Sequence, residues 1–133
     1  MNLKLGLVIT LLLSTVVFIG GVVLEQRAEP GSSETVLGIN PESPGLVAAA
    51  IVLSVFLAVA ILLRPLSPVL AVAGAFGLIF AFFDILEIVH QLQEHRPSLA
   101  AIAGVATLFH LAVTTLAIAH MRRASAGRAV GRI

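Results

Sequence analysis

The chain has 133 residues, 59% of them hydrophobic and 11% charged, with a formal net charge of +1 and a mean hydropathy of +1.09. Soluble domains carry roughly 25% charged residues, so a soluble globule is excluded. The absence of cysteine excludes a disulfide relay, a thiolate nucleophile, an iron–sulfur cluster and a thiolate zinc site.

Segments 5–24, 43–63, 65–83 and 97–121 contain no Asp, Glu, Lys or Arg. A hydrocarbon core about 30 Å thick needs roughly 20 apolar helical residues, and every segment comes close to that or exceeds it. The expected fold is all-α: an integral membrane four-helix bundle of antiparallel hairpins. It forms one domain over 1–133, with spans near 4–24, 45–63, 68–92 and 98–121. So little chain lies outside the spans that no soluble catalytic head is expected.

The first span opens Met1-Asn2-Leu3-Lys4, which resembles the charged start of a signal peptide. Its apolar stretch is longer than the roughly 7–15 residues of such a leader, and no A-x-A-like site follows, so it reads as a retained helix. Gly6, Thr10, Ser14 and Gly21 give it one small and polar stripe. Residues 25–44 are rich in Glu, Pro, Gly and Ser and read as an irregular external segment. After the second span, Arg64-Pro65-Leu66-Ser67-Pro68 marks a tight turn, because two prolines cannot continue a helix.

The third span carries ionisable groups in its final turns. At about 100° per residue, Asp84, Glu87, Gln91 and Glu94 share a stripe that Ala73, Gly77 and Phe80 extend, while Ile85, Val89 and Leu92 lie opposite. Such a stripe faces protein or water, since facing lipid is costly. A second turn is expected at 91–97, closed by Arg96-Pro97. In the fourth span His110 sits deep in apolar sequence, on one face with Ala103, Ala106, Thr107, Thr114 and Ala117, residues that mark close helix contact in membranes. The spacings Ala73-xxx-Gly77 and Ala100-xxx-Gly104 also suit tight packing. No convincing internal repeat relates the two hairpins, which argues against a duplicated transporter.

Charge predicts orientation. Lys4, Arg64, Arg122, Arg123, Arg128 and Arg132 fall at the N-terminus, the second-to-third connection and the tail 122–133, regions without acidic residues. The other two loops hold Arg27 and Arg96 with Glu25, Glu29, Glu34, Glu42 and Glu94. The positive-inside rule then places both termini in the cytoplasm of a cell-membrane protein. The basic tail reads as a retention and anionic-lipid element, not as a nucleic-acid binder. The chain lacks Trp and Tyr, the usual headgroup anchors, which favours support by neighbouring membrane subunits or self-association.

A hairpin turning at Arg96-Pro97 sets His110 level with about residue 83, within one helical turn of Asp84. The expected polar focus is therefore Asp84 with His110. A hydrogen-bonded structural pair is one reading of it. A proton or cation relay through Asp84, Glu87 and His110 is another, because imidazole titrates near neutral pH. A third is a divalent metal ion held by Asp84, Glu87, His90 and His110, since Glu87-Ile88-Val89-His90 has the Glu-x-x-His spacing of di-iron bundles. That motif occurs once here, and His90 and His110 are not level as axial haem ligands would be. A membrane hydrolase could use the pair as general base, but no serine is placed beside it as nucleophile. His95 and His120 read as interfacial, and Arg64 and Arg96 as topology anchors.

Two functions follow. The first is a non-catalytic integral subunit or accessory partner of a larger membrane assembly, bounded otherwise by the lipid bilayer. The alternative is proton, cation or metal handling by the Asp/Glu/His cluster on the third and fourth helices.

Overall fold

The computed structural model describes residues 2–28 and 43–130. They form four α-helices: α1 (Leu3–Ala28), α2 (Pro44–Leu63), α3 (Ser67–Gln93) and α4 (Pro97–Val130). All four are long and apolar enough to cross a membrane. The shortest, α2, has 20 residues, about 30 Å at 1.5 Å per residue. Most of the segment expected to be irregular, 29–42, lies outside the described residues, as does 131–133.

Two helix boundaries differ from the sequence reading. α1 continues through residues 25–28, which had been assigned to the external segment, and α4 continues past Met121 to Val130. Loss of hydrophobicity ends a span but does not end a helix. Arg and Ala are among the strongest helix formers, so the tail expected to be a basic extension is a basic helical extension.

Local chemistry sets the other ends. Asn2 Oδ1 accepts the Lys4 amide (3.1 Å) at the start of α1, and Ser43 Oγ accepts the Leu46 amide (3.3 Å) at the start of α2, where Pro44 occupies the first helical position. Both oxygens satisfy amides that have no partner inside the helix. α2 stops at Arg64, which is extended (φ −154°, ψ 98°) ahead of Pro65, as a residue before proline prefers. α3 ends with His95 at φ 57°. There the His95 amide donates to Leu92 O (3.2 Å) and the Arg96 amide to Gln91 O (2.8 Å), the paired bonds of a Schellman motif. Pro97 then opens α4 at once.

α3 and α4 make the most extensive contact, followed by α1 with α4 and α1 with α2; α2 touches α3 only lightly. The α3–α4 register runs antiparallel through Asp84 beside His110 and Gly74 beside Ala117. At one end of the bundle Leu7, Leu11, Leu57, Ile61, Leu70 and Val113 are fully buried and form an apolar core. Toward the other end the buried side chains include Asp84, Gln91, Thr107 and His110. The outward surface is apolar, with Phe56, Leu63, Leu78 and Leu108 exposed.

Candidate functional site

The polar end is built on the α3–α4 contact. Gly77 permits it: a Cβ there would lie 2.5 Å from the His110 carbonyl oxygen and 2.7 Å from Thr114 Oγ1. Without that atom the backbones approach closely. Thr114 Oγ1 then reaches the Gly74 carbonyl on the facing helix (3.0 Å) as well as the His110 carbonyl on its own (3.2 Å). Gly104 does not play the same part, because a Cβ at that position would meet nothing within 4 Å. Of the two small-residue spacings in the sequence, the one ending at Gly77 marks a close approach.

Two turns along α3 from Gly77, Asp84 Oδ2 lies 2.6 Å from His110 Nδ1. His110 is 1% exposed and Asp84 6%. The imidazole also contacts the rings of Phe80 (centroids 5.4 Å apart) and Phe76 (6.1 Å). Phe80 in turn meets Phe18 of α1 edge-on at 5.3 Å. These aromatic contacts hold the imidazole plane and separate it from the leucine-rich core.

A cavity of about 60 Å³ lies beside Asp84, between α1, α3 and α4; its walls include Phe18, Gly21, Glu25, Glu87 and Ala106. It has room for a small number of waters. A wider and more open concavity of about 530 Å³, reached past Leu24, His95 and Arg96, shares the Leu99 and Ile102 walls with it.

Glu87 and Glu25 are tied together across this space. Gln91 Nε2 donates one N–H to Glu25 Oε1 of α1 and the other to Glu87 Oε1, both at 2.6 Å. Gln91 is fully buried, and its Oε1 has no hydrogen-bond partner among the described residues.

The structure thus brings Asp84 and His110 together and sets Glu87 on the same cavity. His90 is half-buried near Glu87 and is not part of the cavity wall. Among the described residues no group of three or more His, Asp or Glu side chains is arranged to hold a metal ion, so the four residues of the metal expectation do not converge. Thr107 Oγ1 donates to its own helix at Ala103 O (2.9 Å), and the Thr114 hydroxyl is engaged by carbonyls as described. These hydroxyls are not presented to the Asp84–His110 pair as nucleophiles.

Sequence reasoning missed Glu25, which was counted as a loop charge. The signal was present: the small-residue stripe of α1 runs from Ser14 through Gly21, and one more turn along it is Glu25. Gln91 was placed on the correct stripe without a role. By similarity, the chain matches no protein-family model, no curated protein and no solved structure.

Proposed function

We propose that this is a small multi-pass membrane protein that takes up and releases protons at the buried Asp84–His110 pair. One observation carries the reading: a carboxylate and an imidazole share a 2.6 Å hydrogen bond inside an apolar helix bundle, next to a cavity lined by two further carboxyl groups. Ionisable groups at membrane depth are expensive and mark ion or proton paths. The pair with one proton between Nδ1 and Oδ2 carries a net charge of −1; a second proton on the imidazole brings it to zero. Each cycle moves one proton. Both termini are assigned to the cytoplasm, because Lys4, Arg64, Arg122 and Arg123 share one end of the bundle. Glu25 and Glu87 then lie toward the external side.

The test is proton flux into vesicles that contain the purified protein and a trapped pH-sensitive dye. An acid step outside should acidify the lumen. Asp84→Asn and His110→Gln should each slow the response at least about tenfold, a change of roughly 1.4 kcal/mol in barrier, while the exposed Glu94→Gln should not. A wild-type rate equal to that of empty vesicles rejects the proposal.

The accessory-subunit reading is supported by a separate observation. α2 packs on α1, touches α3 only lightly, and leaves Val52 and Phe56 about two-thirds exposed (68% and 66%). A helix held this loosely is suited to lie against a partner. Recovery of a second membrane protein in fixed ratio after mild detergent extraction, lost in Phe56→Ala, supports it; recovery of the chain alone from its native membrane opposes it.

A further inference from the structure

Asp84 is 6% exposed and needs a route to water if it exchanges protons, and the described residues outline a candidate route. The inner cavity reaches Asp84, the outer concavity opens at the α3–α4 turn, and Leu99 and Ile102 border both. Where α1 and α3 converge beside this route, the Gln91 amide clamps Glu25 to Glu87. The buried Gln91 Oε1 has no partner among the described residues, and a group of this kind is satisfied by water when water enters.

Resting on the proton-handling reading, we propose that the α1–α3–α4 cavity is a water-filled, cation-favouring access path to Asp84, gated by the Glu25–Gln91–Glu87 clamp. The charges along its walls are the carboxyl groups of Glu25, Asp84 and Glu87. His110 faces Asp84 from α4, His90 lies near Glu87 on α3, and His95 and Arg96 stand at the outer rim. α2 contributes no charged side chain over its 20 residues. A low-dielectric cleft lined by one sign of charge concentrates the opposite ion. The clamp spans two helices through one side chain, and it lies away from the apolar core built on Leu7, Leu11, Ile61 and Leu70. An incoming proton passes from bulk water to a Glu25 or Glu87 oxygen, then through cavity water to Asp84 and His110.

The chain contains no cysteine, so a single introduced thiol reports access without background. Ala103→Cys and Ala106→Cys place the thiol on the cavity wall; Leu108→Cys, on the outward face at 69% exposure, is the lipid-facing control. Vesicles holding each variant are treated with aminoethyl (cationic) or sulfonatoethyl (anionic) methanethiosulfonate, and labelling is followed by mass. Both cavity thiols should react about tenfold faster with the cation than with the anion, and the control with neither. Glu25→Gln and Glu87→Gln should each lower that ratio, and the double variant should lower it further, toward the value that Asp84 alone sets. Gln91→Leu should speed labelling by both reagents.

Cavity thiols as silent as Leu108→Cys, or a cation preference unchanged by loss of both glutamates, would overturn the access path. If labelling fails while Asp84→Asn still abolishes flux, the path is wrong and the Asp84–His110 reading stands. If labelling behaves as stated and wild-type vesicles show no flux, the path stands and the proton-handling reading falls.

Discussion

Replacing Gly77 with alanine tests the backbone approach on which the site depends. The added Cβ would lie 2.5 Å from the His110 carbonyl oxygen, 2.7 Å from Thr114 Oγ1 and 3.2 Å from the Thr114 amide nitrogen. Ordinary contact needs about 3.5 Å, so α3 and α4 must part by about 1 Å. Thr114 could turn its hydroxyl away, but the carbonyl belongs to the α4 backbone and moves only with the helix. Overpacking of this kind costs about 1–3 kcal/mol, and losing the Thr114–Gly74 bond adds about 0.6 kcal/mol, the mean for an interhelical bond in a membrane protein. Alanine returns up to about 1 kcal/mol in helix propensity. The net expectation is a destabilisation of about 1–3 kcal/mol. Gly104→Ala meets nothing within 4 Å, so it retains only the propensity gain and should be neutral or stabilising by up to about 1 kcal/mol. Reversible unfolding in mixed micelles, with the His110 ring nitrogens followed by NMR, measures both. If Gly77→Ala proves as stable as Gly104→Ala with an unchanged His110 signal, the reasoning about close approach is refuted.

Removing one member of the Asp84–His110 pair leaves a buried polar group unpaired: Asp84→Leu alone should cost about 3–5 kcal/mol, whereas the Asp84→Leu/His110→Leu double variant should recover most of that. A double-mutant cycle by unfolding reads the coupling, and additive single costs would contradict a direct pair. His95 holds φ 57° in the α3 cap, a conformation costing a non-glycine residue about 1–2 kcal/mol. His95→Gly should therefore raise stability by about 0.5–1 kcal/mol, seen as a later unfolding midpoint; an earlier one would mean that the imidazole makes a contact worth more than the strain. Thr15 Oγ1 donates to Ser54 Oγ at 2.8 Å between α1 and α2, and the Thr15→Ala/Ser54→Ala cycle should give a coupling of about 0.6 kcal/mol, with zero coupling counting against the contact.

The four helices were legible because charge is absent from long windows, a signal that outweighs any detail of propensity. The Asp84–His110 contact was legible for a similarly simple reason: once Arg96-Pro97 fixes the turn, antiparallel geometry leaves His110 few neighbours. The ends were harder. Residues 25–28 and 122–130 are polar enough to leave a span yet good enough helix formers to stay helical, and hydropathy cannot separate those two properties. Glu25 was lost through that confusion, because sorting it with the loop charges removed it from the face of α1. Gly77 and Gly104 show a second limit. Both fit the same small-residue spacing, and only the three-dimensional approach of Thr114 and the His110 carbonyl distinguishes them.

In a bilayer, apolar side chains gain little by leaving lipid for protein, so helices are held by close packing and interhelical hydrogen bonds. Each tie here is therefore worth examining for what it couples. Thr15–Ser54 joins α2 to α1, and among the described residues it is the one side-chain hydrogen bond that joins α2 to another helix. α3 and α4 are joined twice, through Thr114–Gly74 and Asp84–His110. α1 meets α3 by the Phe18–Phe80 ring contact and, about two turns farther along α1 and three along α3, by Glu25–Gln91. Breaking the last of these leaves the ring contact and the Thr15–Ser54 bond in place nearer the leucine-rich core, while the outer part of α1 still faces Ile102 of α4 at Gly21. Opening the Glu25–Gln91 tie therefore loosens α1 from α3 and leaves the Asp84–His110 bond between α3 and α4 intact.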